Sequence, residues 1–291
     1  MTVPRRLVVS GLAALATGAC SKLAFVAANV PAAFGSFDRR EGVAYGPDRR
    51  QTLDVYVPGG QAPRPRPMVV FFYGGRWESG DKDEYKFVGA ALSSLGYVAV
   101  LPNYRLYPTV KMPGFMEDAA RAVRWAFEQA GPLGVDPGSV HLMGHSAGAH
   151  MAALVTLDRR YLAAAGGGPA PRIAGLIGLS GPYDFLPLTD PDLEDMFGPP
   201  ARYPDSQPID FVRPDAPPAL LVQGLGDRVV APKNSVNLAA ALRAQGVPVT
   251  LKLYPKLAHA DTVAALSIPA RGRAPTLADI ETFVSRRPSS S

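Results

Sequence analysis

Residues 139–154 read SVHLMGHSAGAHMAAL. Val140 to Met143 has the character of a strand buried on both faces, and Ala149, Ala152 and Ala153 beyond it let a helix lie close. Between them stands Gly144-His145-Ser146-Ala147-Gly148, a G-x-S-x-G match at the point where a strand must turn sharply into a helix. Glycine allows that turn without a Cβ clash, so the Ser146 hydroxyl projects alone above the sheet. The dipoles of the helix N-terminus favour negative charge at the same place. Ser146 is therefore a candidate nucleophile.

Outward from this stretch, strands and helices alternate. Thr52 to Val57 alternates apolar and polar residues, and Met68 to Phe72 is continuously apolar. Similar runs follow at Tyr97 to Leu101, Ile173 to Leu179, Ala219 to Val222 and Val249 to Leu253. Helical patterns lie at Lys82 to Leu95, Phe115 to Gln129, Ser146 to Leu157, Asn234 to Gln245 and Thr276 to Val284. The expected fold is α/β, with a mostly parallel sheet of about eight strands covered by helices on both faces. Reactive groups then belong at the carboxyl ends of the strands.

One connection breaks the alternation. Pro182 to Pro218 holds 10 prolines and 8 acidic residues, too many breakers for a long helix. It reads as a short, irregular cap, with Asp190, Asp192 and Asp195 on a solvated face.

Of the 291 residues, 47% are hydrophobic and 19% charged, an ordinary globular composition that argues for one catalytic domain, residues 37–291. The net charge of +5 comes from basic residues scattered singly or in pairs, such as Arg49 with Arg50 and Arg159 with Arg160. No basic stripe with interleaved aromatics exists, so nucleic acid is not an expected partner. Arg5 and Arg6, the apolar run Leu7 to Ala16 and the small residues after it have the layout of an export signal over residues 1–20. The apolar run is too short for a membrane span. Residues 21–36 read as a linker. Cys20, the only cysteine, excludes an intramolecular disulfide or a cysteine metal cluster.

Taken together, Leu53-Asp54-Val55-Tyr56, Asn103-Tyr104-Arg105-Leu106, Glu117-Asp118-Ala119 with Trp125, and the serine turn resemble the α/β-hydrolase superfamily. The likeness is close to its hormone-sensitive-lipase-like and feruloyl-esterase-like bacterial esterases, and runs from about Thr52 to Val284. Tyr73-Gly74-Gly75-Arg76-Trp77 stands where these families carry H-G-G-x-W or H-G-G-G, with Tyr73 replacing the histidine. The resemblance implies an oxyanion hole of backbone N–H groups from Gly75, Arg76 and Ala147, with Trp77 and His145 at the substrate pocket. The segment ending at Cys20 is similar to a lipobox, in which the cysteine carries lipid; Thr17 departs from the usual leucine. The expected location is the periplasm or a membrane anchored through Cys20.

A serine needs a base. Of the four histidines, His141, His145 and His150 do not fit the fold's chain order of serine, acid, histidine, whereas His259 does. Gln223-Gly224-Leu225-Gly226-Asp227 with Val230 resembles the family's H-G-x-x-D-x-x-V loop and makes Asp227 the acid. Asp184, one strand earlier, is its rival. The implied chemistry is acyl transfer from short-chain carboxylic esters, with no metal or organic cofactor and no particular oligomeric state. An arylformamidase or amidase, sharing the H-G-G-x-W loop, and a polysaccharide acetyl or feruloyl esterase are the alternatives within the enzyme class. A binding protein that kept the fold without catalysis is the alternative outside it.

Overall fold

The computed structural model describes residues 23–60, 65–166 and 168–286. The segment expected as an export signal, including Cys20, lies outside the described residues.

Eight strands form one sheet: β1 (Phe37–Ala44), β2 (Thr52–Pro58), β3 (Arg66–Phe72), β4 (Val98–Pro102), β5 (Val135–His145), β6 (Gly175–Leu179), β7 (Ala219–Gly224) and β8 (Val249–Tyr254). Their spatial order is β1-β2-β4-β3-β5-β6-β7-β8. β1 and β2 are antiparallel to their neighbours, and every pairing from β4 to β8 is parallel. The inner strands β4, β6 and β7 are buried at every residue, as continuous apolar runs require when helices cover both faces.

The sheet has the expected eight strands, one of them without a signal in the sequence, and one expectation needs correction. β1 was not foreseen, because FDRREGVA is polar and its residues face solvent along the sheet edge. Residues 21–36 are not a bare linker. Residues 23–29 are helical, and Pro31–Phe34 forms a 3-10 turn. Phe25 packs against Tyr85 with ring centroids 5.1 Å apart, and Asn29 bonds the backbone of Asp83, Glu84 and Phe87. Phe25 and Asn29 act through tertiary contacts that local composition cannot announce.

The helix α1 (Lys86–Ser94) follows a 3-10 turn at Lys82–Tyr85, which Asp81 caps through the N–H of Asp83. It packs on one side of the sheet. Helix α2 (Gly114–Glu128) has one apolar face, and its Asp118 receives the Arg105 guanidinium at 2.6 Å while wholly buried. Helix α3 (Ala147–Leu157) is buried at every residue, consistent with its apolar character all round.

The segment 182–218 forms the short helix α5 (Pro191–Phe197), preceded in the chain by α4 (Arg159–Ala164), and two 3-10 turns at Pro200–Ser206 and Pro208–Phe211. Asp192 and Asp195 face solvent as expected and Asp190 is partly exposed, but two of the three carboxylates are also paired. Asp190 caps α5 and also binds Arg76 at 2.8 Å, while Asp195 takes Tyr107 Oη at 2.8 Å and the Lys111 ammonium. These cations come from other segments of the chain, so the pairing is invisible locally. His150 on α3 donates to the Ser206 carbonyl at 2.7 Å, and Met112 N–H to the Met196 carbonyl at 3.0 Å. The 182–218 segment is thus bonded to the body at several points.

Candidate active site

Ser146 sits between β5 and α3 with φ 54° and ψ −125°, a conformation that costs an ordinary L-residue about 1–3 kcal/mol. The turn closes because its glycines have no side chain. A Cβ at Gly148 would lie 2.0 Å from the Phe72 carbonyl oxygen, and one at Gly144 would lie 2.2 Å from that of Gly148. The Ser146 N–H is held by the Leu179 carbonyl at 2.9 Å, which fixes the turn to the end of β6.

The Ser146 hydroxyl meets His259 Nε2 at 2.8 Å, and His259 Nδ1 meets Asp227 Oδ2 at 2.8 Å. A carboxylate only accepts, so Nδ1 carries the hydrogen and Nε2 is free to accept from the serine. Ser146 and His259 are half-buried, and the Asp227 side chain is fully buried. Burial by itself pushes the Asp227 carboxyl up. The hydrogen bonds from His259 and from the N–H groups of Val230 and Val229 outweigh it and hold the group below its ordinary value. Asp184, the rival acid, is engaged elsewhere: its Oδ2 accepts from Asn237 Nδ2 at 2.6 Å.

Three further residues support this line. Gln223, wholly buried on β7, donates to Asp227 Oδ2 at 3.0 Å and accepts from the Ser235 hydroxyl at 3.0 Å. It fills the first position of the H-G-x-x-D-like loop, where glutamine carries no catalytic signature by which sequence alone would single it out. Thr262 donates to the His259 carbonyl at 3.2 Å and contacts the Ser180 hydroxyl at 3.1 Å.

His145 and Trp77, expected as pocket walls, sit deeper than that. His145 Nε2 donates to the His259 carbonyl at 3.1 Å. Burial, then the neighbouring His259, pushes the His145 imidazole down to about 3, so it stays neutral. Trp77 is 4% exposed and lies among Phe115, His150, Phe185 and Phe197 at centroid distances of 5.0–6.4 Å. It ties the 182–218 segment to the body. His141 and His150 are likewise buried and pushed down to about 4.

The loop after β3 approaches the serine closely. A Cβ at Gly74 would come 2.9 Å from that of Ser146, and Gly75, Arg76 and Trp77 all have positive φ (126°, 58° and 61°). Gly75 has no freedom to carry a side chain, since a Cβ would meet the Ser79 carbonyl at 2.2 Å. The strain is held by Tyr107 N–H on the Trp77 carbonyl at 2.9 Å and by the Arg76–Asp190 pair. Tyr73, in the family histidine's place, stacks between Tyr104 and Tyr85, and its hydroxyl accepts from Arg50 at 2.7 Å. The strand end leading into the loop is therefore anchored without a histidine. Ala147 opens α3, where a backbone N–H has no partner within the helix.

Among the described residues, no group of three or more His, Cys, Asp or Glu side chains is placed to hold a metal ion.

Comparison with known proteins agrees with this architecture. Residues 53–242 match the family described as BD-FAE. Isoprenylcysteine alpha-carbonyl methylesterase ICME of Arabidopsis thaliana is 28% identical over 260 residues, covering 82% of this chain and 60% of the relative. Esterase LipC of Mycobacterium tuberculosis is 29% identical over 222 residues, covering 70% of this chain and 55% of the relative. The chain thus spans less than two thirds of the length of either. The crystal structure of esterase B from Lactobacillus rhamnosis superposes with a TM-score of 0.75 at 23% identity, over 94% of this chain and 93% of that one. With a family match over most of the sheet and the fold shared across nearly its whole length, the chain belongs to the BD-FAE family and has the α/β-hydrolase fold.

Proposed function

We propose that the protein is a carboxylic ester hydrolase working through an acyl-enzyme on Ser146. The observation that carries this reading is the unbroken line from the Ser146 hydroxyl through His259 to Asp227, 2.8 Å at each step. His259 Nε2 takes the serine proton as Oγ bonds the carbonyl carbon, and Asp227 stabilises the imidazolium that forms. The N–H groups of Gly75, Arg76 and Ala147 receive the oxyanion. His259 then gives the proton to the leaving alcohol, and water repeats the sequence to release the acid. Relatives named as esterases support this class.

Short acyl groups, of about two to six carbons, are the proposed substrates. The aromatic residues Trp77, Phe115, Phe185 and Phe197 pack on one another and, through Trp77 and Phe197, on His150 one turn beyond Ser146, so a longer acyl chain gains no room there to bury its methylenes at roughly 0.8 kcal/mol each. The test is a hydrolysis panel of p-nitrophenyl esters of graded chain length, formanilides and feruloyl esters on the purified protein. A maximum at short esters is expected. A maximum at formanilides would replace this reading with an arylformamidase, and one at feruloyl esters with a polysaccharide acyl esterase.

We further propose that residues 1–20 direct export and that Cys20 carries the lipid that holds the protein to a membrane. The paired Arg5 and Arg6, the apolar run and the small residues before Cys20 support this.

A further inference from the structure

Residues 23–34 read LAFVAANVPAAF, in which Asn29 is the only polar residue. Both ends of its side chain are spent on the body: Nδ2 donates to the carbonyls of Asp83 and Glu84 at 3.2 and 3.0 Å, and Oδ1 accepts from Phe87 N–H at 2.9 Å. Phe25 packs the same way, against Tyr85. The opposite face of the helix at 23–29 is left to solvent. Leu23 is 70% exposed, Val26 60% and, in the turn that follows, Val30 57%, and the exposed residues between them are Ala24 and Ala27. A helix on a water-facing surface places charged or polar residues outward. This one presents none.

The apolar surface extends past the helix. Ile268, 61% exposed, borders a half-open groove of about 120 Å³ lined by Ala28, Pro31, Phe87, Ala91 and Leu266, with Arg271 at its edge. Two occupants compete for such a face. A stable pairing of two copies buries about 800 Å² on each partner, and a stripe of three helix-side residues plus one isoleucine is far short of that. A bilayer needs no such area, because it accepts a narrow apolar stripe with a basic flank. The chain also dictates proximity: Leu23 follows Cys20 by three residues, a reach of at most about 11 Å in any conformation.

We propose that the face formed by Leu23, Val26, Val30 and Ile268 lies in the interfacial layer of a lipid bilayer, with Arg271 toward its headgroups. This deepens the reading of Cys20 as a lipid anchor and rests on it for the reach argument. The lipid at Cys20 holds the protein to the membrane. The stripe sets which side of the protein faces it, since attachment at a single residue does not by itself fix the orientation of the body.

The experiment uses the full chain with Cys20→Ser, so that no lipid is attached, and flotation with vesicles of phosphatidylcholine containing a minor share of phosphatidylglycerol. It is compared with the same chain carrying Leu23→Ser, Val26→Ser and Val30→Ser. The expected result is a partition coefficient lowered about tenfold or more by the three serines, with turnover of a soluble ester unchanged. Equal partition of the two chains overturns the proposal, as does absence of flotation in the parent. A concentration-dependent dimer that the serines abolish in vesicle-free buffer also overturns it, in favour of a second copy. Palmitate incorporation into the chain with Cys20 intact tests the anchor separately, so either reading can fail alone.

Discussion

Gln223 and His259 donate to the same oxygen of Asp227, Oδ2, at 3.0 and 2.8 Å. The other oxygen takes the N–H groups of Val229 and Val230, both at 2.9 Å. Four donors thus fix the plane of the carboxylate, and three of them make no contact with the reacting groups. Gln223 is in turn held by the Ser235 hydroxyl, so the orientation of Asp227 is inherited from β7 and the helix α6 (Lys233–Ala244). A charge-assisted hydrogen bond of this kind is worth about 1.5–3 kcal/mol.

Gln223→Leu is therefore expected to lower kcat by about tenfold to a hundredfold with little change in KM, because the acid loses its orientation while the substrate surface is untouched. Gln223→His, which restores a donor of the family type, should recover part of that loss. Steady-state kinetics on one short ester, with thermal melts to confirm folding, checks both.

Asp227→Asn is expected to lower kcat by about four orders of magnitude while leaving the protein folded, since an amide supports the wrong imidazole tautomer and cannot stabilise imidazolium. Asp184→Asn should be mild, because Asp184 bonds Asn237 and has no hydrogen bond to His259. Adding Asp227→Asn to His259→Ala should cost little more than His259→Ala alone, as members of one unit are not additive. The opposite ranking of the two aspartates would transfer the role to Asp184.

Ser146→Ala should abolish covalent labelling by a fluorophosphonate and nearly all turnover. Ser146→Gly should do the same and also raise stability, by about 1 kcal/mol, because φ 54° with ψ −125° strains any residue with a Cβ. Denaturant titration of the two variants side by side separates strain from chemistry. An alanine variant as stabilised as the glycine one would mean that the turn stores no strain.

Much of this is legible in the amino-acid sequence. The inner strands announce themselves because burial on both faces demands uninterrupted apolar runs, and Ser146 because only a strand-to-helix turn needs glycine at both Gly144 and Gly148. His259 follows from the fold's order of serine, acid and histidine, and Asp227 from the resemblance of its loop to the family's H-G-x-x-D-x-x-V. What stayed hidden is of two kinds. β1 is polar because it is an edge, and so lacks the signal by which strands are recognised. The pairs Arg76–Asp190, Lys111–Asp195 and Gln223–Asp227 depend on where remote or uncharged groups land, and no local pattern encodes that. The burial of Trp77 stays hidden for the same reason, since its neighbours Phe185 and Phe197 come from a segment more than a hundred residues away.

The last prediction concerns acid stability. His141, His145 and His150 are buried and neutral, with their imidazoles pushed down to about 4, 3 and 4 by loss of solvation. In the unfolded chain the same rings titrate near 6.5. Between these values the unfolded state binds protons that the folded state refuses, so stability rises with pH across that window. The contribution is complete above about pH 6.5 and is lost progressively as the pH falls toward the folded values, about 3 kcal/mol at most for His150 alone. Denaturant midpoints should therefore drop between about pH 7 and pH 5, before most carboxylates titrate. His150→Gln removes one of the three rings while retaining a donor for the Ser206 carbonyl, and should make the drop shallower by roughly a third. It should lower stability at neutral pH only modestly, since packing against Trp77 and Phe197 is lost but the bond to the 182–218 segment can persist. An unchanged pH slope in His150→Gln would show that this ring titrates alike in both states, and that the segment's attachment does not depend on a neutral imidazole.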